Sequence, residues 1–227
     1  MYLMLAAALM PVIILALYIG RMDAKPEPFQ WLLRAFFAGV LICFPVGMVE
    51  NFISGILFPT GAPQTLFGTT IQAFLVAAVP EEAAKLLALW LILRKNPYFD
   101  EHFDGIVYAV YIGLGFAGLE NILYVLQSGE SWASVAFMRA FLAVPGHYAF
   151  AIIMGYYYTK YHFVKRSPLN AVKIFLAPVL AHGVYDSLAM SGSVDPVAGS
   201  ICFLILIYFC VKLQKAAQKK VLDLAQQ

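Results

Sequence analysis

Seven apolar runs, each long enough to cross a bilayer and separated by short breaks rich in charge, proline or glycine, limit what this chain can fold into. They cover roughly residues 2–20, 29–50, 66–94, 104–126, 132–160, 172–190 and 196–213, and a hydrocarbon core takes about 20 residues per helix. The expected fold is all-α: a polytopic membrane protein with about seven transmembrane helices in one bundle, a single domain over 1–227. Composition agrees, since 62% of the 227 residues are hydrophobic and only 12% are charged, outside the soluble range.

The breaks differ in charge. Arg21, Lys25 and nearby Arg34 mark the first, Arg94 and Lys95 the third, and Lys160, Lys165, Arg166 and Lys173 the fifth. The tail carries Lys212, Lys215, Lys219 and Lys220, while the second, fourth and sixth breaks have no Lys or Arg. The positive-inside rule then places the N-terminus outside and the C-terminus in the cytoplasm. The first run lacks a basic n-region and a small-residue cleavage site, so it is expected to stay as a helix rather than leave as a signal peptide. The short cytoplasmic tail, 214–227, reads as a helix end running onto the membrane surface with its lysines near anionic lipid. A net charge of +2 offers no patch for nucleic acid. Cys43, Cys202 and Cys210 sit in apolar runs without ligand spacing, as small hydrophobes.

Ionisable residues inside a membrane are expensive, so each needs a reason. They are Glu81, Glu82 and Lys85 in the third run, Glu120 in the fourth, Arg139 and His147 in the fifth, and His182 and Asp186 in the sixth. At about 1.5 Å per residue, Glu82 lies roughly 18 Å above Arg94 and Glu120 roughly 24 Å above Asp104. His147 is about 20 Å above Lys160, and His182 and Asp186 about 14 and 20 Å above Lys173. Four helices thus bring acids and imidazoles to one level. Glu81 and Lys85 share a face at i,i+4, as do His182 and Asp186, whereas Glu82 turns about 100° away toward a neighbouring helix. Asn121 is expected to hydrogen-bond locally. Pro80, Pro145 and Pro178 are expected to break helical hydrogen bonds near that level, and Gly113, Gly115 and Gly118 to let helices approach closely.

Such a cluster suits hydrolysis without a Ser or Cys nucleophile. Adjacent carboxylates repel in low dielectric, which favours a general base able to activate water, and a nearby imidazole or amide can donate to an oxyanion. Glu81, Glu82, Glu120, His147 and His182 are equally candidate metal ligands, although no H-E-x-x-H is present. Arg139 is read as structural, snorkelling or paired, and Glu50 as interfacial. Asp100, Glu101, His102 and Asp104 read as a solvated acidic loop.

EEAAK at 81–85, FAGLEN at 116–121 and HGVYD at 182–186 resemble the motifs E-E-x-x-K, F-x-x-x-E and H-x-x-x-D of the PrsW family, bacterial intramembrane proteases related to the CAAX prenyl proteases. The segment FDEHFDGIVYAVYIGLGFAGLENILY, Phe99 to Tyr124, is similar to the family's sequence between its first two motifs, and the likeness runs from about Arg34 to Asp186. The resemblance implies an intramembrane endopeptidase of the bacterial cell membrane, its catalytic helices within about 66–190. It would make the site-1 cut in a membrane-anchored anti-sigma factor, releasing an extracytoplasmic-function sigma factor in a stress response.

Carried onto this chain, Glu81 or Glu82 is the base, Glu120 stands where the CAAX branch has His, and His182 with Asp186 forms the oxyanion side. Lys85, Phe116, Asn121 and His147 support them. The cofactor is none or a divalent metal. Two rival readings are a proton-coupled transporter, for which no internal repeat is found, and a non-catalytic membrane scaffold, against which the complete motif set argues.

Overall fold

The computed structural model describes residues 1–225, which form helices and short connections with no strand. Gln226 and Gln227, the end of the expected tail, lie outside the described residues. The helices are α1 (Tyr2–Met22), α2 (Phe29–Leu57), α3 (Leu66–Ile71), α4 (Val79–Leu93), α5 (Asp104–Gln127), α6 (Trp132–Phe141), α7 (Ala143–Thr159), α8 (Pro168–Met190) and α9 (Pro196–Ala225). A π-helical stretch, Gln72–Ala78, joins α3 to α4 without interruption, and α6 bends into α7 at Leu142. That leaves seven continuous rods. Six are long and apolar enough to cross a membrane, and the remaining one, 66–93, carries Glu81, Glu82 and Lys85.

The apolar window of α5 is 72% buried, against 17% in α1 and α2, so α5 is the axis around which the others pack. Missing side chains make this possible. A Cβ on Gly115 would collide with the backbone of Phe36 in α2, and one on Gly39 with that of Ile112 and Phe116 in α5. Gly105 and Gly155 bring α5 and α7 together in the same reciprocal way. Gly113 faces Ala151 of α7, whereas Gly118 meets Val12 of α1 at ordinary contact distance. These small-residue crossings fix the height of α5 against α2 and α7, and with it the height of Glu120.

The prolines fall where helical hydrogen bonds are lost: Pro80 lies inside the continuous 66–93 rod directly after the π-helical stretch, Pro145 three residues after the bend at Leu142, and Pro178 inside α8. Other local expectations are corrected. The tail does not leave the bundle: α9 continues through it as one helix, with Leu213, Ala217, Val221 and Leu224 buried in the main core. Asp104 is fully buried rather than solvated, its Oδ2 accepting hydrogen bonds from the N–H groups of Asp100 and Glu101 at 2.9 and 2.7 Å. All three cysteines are free thiols.

Candidate active site

Two consecutive glutamates early in α4 start the site. Pro80 withdraws one backbone donor, and the ladder before it widens into the π-helical stretch. Glu81 and Glu82 then enter the interior at 4% and 0% exposure, with Lys85 one turn on at 3%. Buried charge demands partners, and each residue supplies the others. The Lys85 ammonium donates to Glu81 Oε2 at 2.9 Å and to Glu82 Oε1 at 2.8 Å, so lysine holds both carboxylates and not one. Its third contact is His147 Nδ1 at 3.2 Å, and it lies 4.3 Å from the centre of the Phe116 ring.

From this ammonium the polar groups extend as two arms. Along α8, His182 Nδ1 meets Glu82 Oε1 at 2.9 Å, and its Nε2 lies 3.3 Å from Asp186 Oδ2. Phe150 stacks on the imidazole at 4.7 Å and fixes the ring plane. Across α7, α5 and α6, His147 Nε2 meets Glu120 Oε2 at 3.0 Å, and the same oxygen accepts from Arg139 Nη2 at 2.6 Å. Asn121 does not bond locally. Its Oδ1 accepts from Arg139 Nε at 2.8 Å, and its Nδ2 donates to the Ala8 carbonyl of α1 at 2.7 Å.

All nine residues singled out from the sequence therefore fall in one contiguous cluster, and the two arms meet at Glu81. His147 Nδ1 and His182 Nε2 each lie 4.0 Å from Glu81 Oε2. A cavity of about 990 Å³ opens onto Glu81, Glu120, His147, His182 and Asp186, but not onto Glu82. Its outer wall includes Glu50, Asn51 and Ser54 of α2, so Glu50 faces this space rather than lipid headgroups alone. Sequence reasoning left Arg139 and Glu50 out of the site. An arginine inside a span implies an acidic partner, and Pro145 signals a break near Leu142, but neither gives the direction in which the bend carries Arg139 toward Glu120.

One oxygen each from Glu81 and Glu82 and one ring nitrogen each from His147 and His182 lie within 4.8 Å of one another. Two imidazoles and two carboxylates suit a divalent ion of zinc-like preference, and Glu82 Oε2 is buried with no hydrogen-bond partner. In chemistry the donor set fits a metal. Lys85 now occupies three of those four donor groups and would have to move aside.

A polytopic helical bundle that buries acids, imidazoles and an ammonium at the floor of a cavity is built as an enzyme working within the membrane. The model for the PrsW family intramembrane metalloprotease matches residues 27–213. Protease PrsW of Geobacillus kaustophilus is 37% identical over 193 residues, covering 84% of this chain and 81% of that protein. Protease PrsW of Bacillus subtilis is 35% identical, covering 82% of each, and that of Clostridioides difficile 33% identical, covering 81% and 77%. No solved structure matches the chain. The chain belongs to the PrsW family of intramembrane proteases: it is a peptidase and a multi-pass bacterial membrane protein.

Proposed function

We propose that this peptidase makes the first, extracytoplasmic cut in a membrane-anchored anti-sigma factor, with Glu81 activating the hydrolytic water. The substrate class rests on the family resemblance. The chemistry rests on one observation: of the paired glutamates, only Glu81 borders the cavity, and two imidazole nitrogens stand 4.0 Å from its Oε2. That spacing lets one water hydrogen-bond to Glu81 and an imidazole together.

Glu81 takes a proton from water as the oxygen bonds to the scissile carbonyl carbon. The Nε2–H of His182, shared with Asp186, donates to the oxyanion, and Glu81 returns its proton to the departing amine as the C–N bond breaks. Glu82 has no access to the cavity and serves as an anchor, holding His182 at Nδ1 and Lys85 at Nζ. Glu81, Glu82, His147 and His182 would hold a divalent ion, which would supply Lewis-acid polarisation of the water. The basic first, third and fifth loops support an outside N-terminus and a cytoplasmic C-terminus.

The test is cleavage of a single-span reporter that the wild-type chain cuts, in proteoliposomes, with metal content measured on the same preparation. Glu81→Gln should lower the rate by at least about 10²-fold while membrane insertion is retained. A wild-type rate in Glu81→Gln would refute the assignment. Stoichiometric metal, with activity lost on chelation and regained on return, would assign the four donors as ligands. Full activity without metal would leave the water to Glu81 alone.

A further inference from the structure

Arg139 is eight residues from His147 in sequence, yet both reach the same oxygen of Glu120. The bend at Leu142 makes this possible by sending α6 and α7 past α5 on different courses. The protonation pattern along this line follows from donor and acceptor counting. A guanidinium only donates, so at 2.6 Å it holds Glu120 as an acceptor-only carboxylate. The facing nitrogen of His147, Nε2, must then carry a hydrogen to contact that oxygen at 3.0 Å. At the other side of the ring the Lys85 ammonium, also donor-only, lies 3.2 Å from Nδ1, which must therefore present a lone pair. Both ends select the same neutral tautomer: Nε2–H toward Glu120, and a free Nδ1 pair toward Lys85 and Glu81.

Arg139 is itself held from three directions. Its Nε donates to Asn121 Oδ1 at 2.8 Å, Asn121 is tied to α1 through the Ala8 carbonyl, and the guanidinium lies 4.1 Å over the Tyr124 ring. Arginine's planar guanidinium fixes the directions of Nε toward Asn121 and Nη2 toward Glu120, a geometry that the single ammonium nitrogen of lysine does not reproduce. Glu120 has no ligand atom in the four-donor group around Glu81, so its place is behind His147.

We infer that Arg139 is a positioning residue of the peptidase: through Glu120 it fixes the tautomer and ring orientation of His147, whose Nδ1 then faces the water-activating Glu81. This rests on the cluster being the peptidase's site. Outer partners that orient a histidine by a carboxylate typically change activity by about 10–100-fold when removed.

The same reporter assay tests it. Arg139→Ala should lower kcat by about 10–100-fold with KM little changed. Because Arg139 borders the cavity, added guanidinium at non-denaturing concentration should restore part of the rate, and sodium at equal concentration should not. In a Glu120→Gln background Arg139→Ala should cost nothing further, and guanidinium should have no effect. NMR of isotope-labelled histidine, assigned by the difference from His147→Gln, should show a single Nε2–H tautomer for His147 that becomes a mixture in Arg139→Ala.

Unchanged kcat in Arg139→Ala, or a loss that ignores guanidinium and multiplies with that of Glu120→Gln, would overturn the inference. Should Arg139→Ala fail to accumulate, Arg139→Met serves: it keeps the bulk of the side chain but cannot donate to Glu120, and a kcat equal to wild type would again overturn the inference. If Glu81→Gln also cleaves normally, the reading of the site falls together with this inference; if Glu81→Gln is dead and Arg139→Ala is normal, only the inference falls.

Discussion

Replacing Lys85 by methionine keeps roughly the volume of the side chain and removes the one cation between two buried carboxylates. Glu82 would retain His182 Nδ1 at 2.9 Å, but the nearest ionisable nitrogens left to Glu81 would be the two imidazoles at 4.0 Å. Removing one member of a buried ion pair costs about 3–5 kcal/mol, most of it the penalty on the stranded charge. With Glu81 4% exposed, Lys85→Met should lose that amount in SDS-titrated unfolding of the detergent-solubilised protein, followed by tryptophan fluorescence. If the stranded carboxylate is the cause, Lys85→Met with Glu81→Gln should recover at least half of the loss, because a neutral amide needs no counter-charge. Cleavage should not return, since Glu81 is gone. Stability within about 1 kcal/mol of wild type in Lys85→Met, or a double variant no more stable than the single, would refute the reasoning.

Gly115→Leu should destabilise by about 1–3 kcal/mol or more in the same unfolding assay, because its Cβ meets the Phe36 backbone, which cannot yield without moving α2. Gly118→Ala, at ordinary distance from Val12, should be near neutral; equal effects at the two positions would deny that the α2–α5 crossing is the tight one. Outside the spans, burial pushes Glu27 in the α1–α2 connection up to about 8 from 4.5, opposed by the hydrogen bond that the Tyr108 hydroxyl donates and aided by repulsion from the Asp104 and Asp23 carboxylates. The folded state keeps a proton that the unfolded chain releases, so this contribution is fully present below about 4.5 and is lost as pH rises to about 8. Unfolding midpoints measured on either side of that window should differ in the wild type and differ less in Glu27→Gln, the buried Asp104 carboxylate beside it keeping part of the difference; an unchanged difference would place the titration elsewhere.

The helices were legible because burial in a bilayer leaves a plain record: apolar runs of fixed length with basic residues confined to alternate breaks. The cluster was legible for the same reason, since Glu81, Glu120 or His182 stands out against a span that tolerates almost no charge. What stayed hidden depended on angles between helices. Pro145 marks a break near Leu142 but not the direction of the bend, so the sequence left Arg139 snorkelling or paired without naming Glu120 as its partner. Asn121 follows Glu120 in the chain, which suggested a local bond, but the helical turn directs it to α1 and Arg139. Spacing alone gave Lys85 to Glu81, and only the rotamers show it holding Glu82 as well. The tail was misread because its lysines drew attention from a second periodicity, Leu213, Ala217, Val221 and Leu224, that marks one buried stripe.

The adjacent carboxylates Glu81 and Glu82 face different surroundings because one helical step turns them about 100° apart. Glu82 points away from the cavity into the α8 arm, where Lys85 and His182 neutralise it, so it can hold other groups but has no path to water. Glu81 points into the cavity, shares the same lysine, and is approached by an imidazole from each arm. The arms are alike in logic: each histidine is backed by a carboxylate, His182 by Asp186 and His147 by Glu120. They differ in what lies behind the carboxylate, since only the Glu120 arm ends on a cation, Arg139. That asymmetry gives the two imidazoles different surroundings: His147 faces a carboxylate already engaged by a guanidinium, whereas His182 lies between two carboxylates, Glu82 at 2.9 Å and Asp186 at 3.3 Å. On the proposed mechanism that makes His182, and not His147, the imidazole suited to donate to the oxyanion.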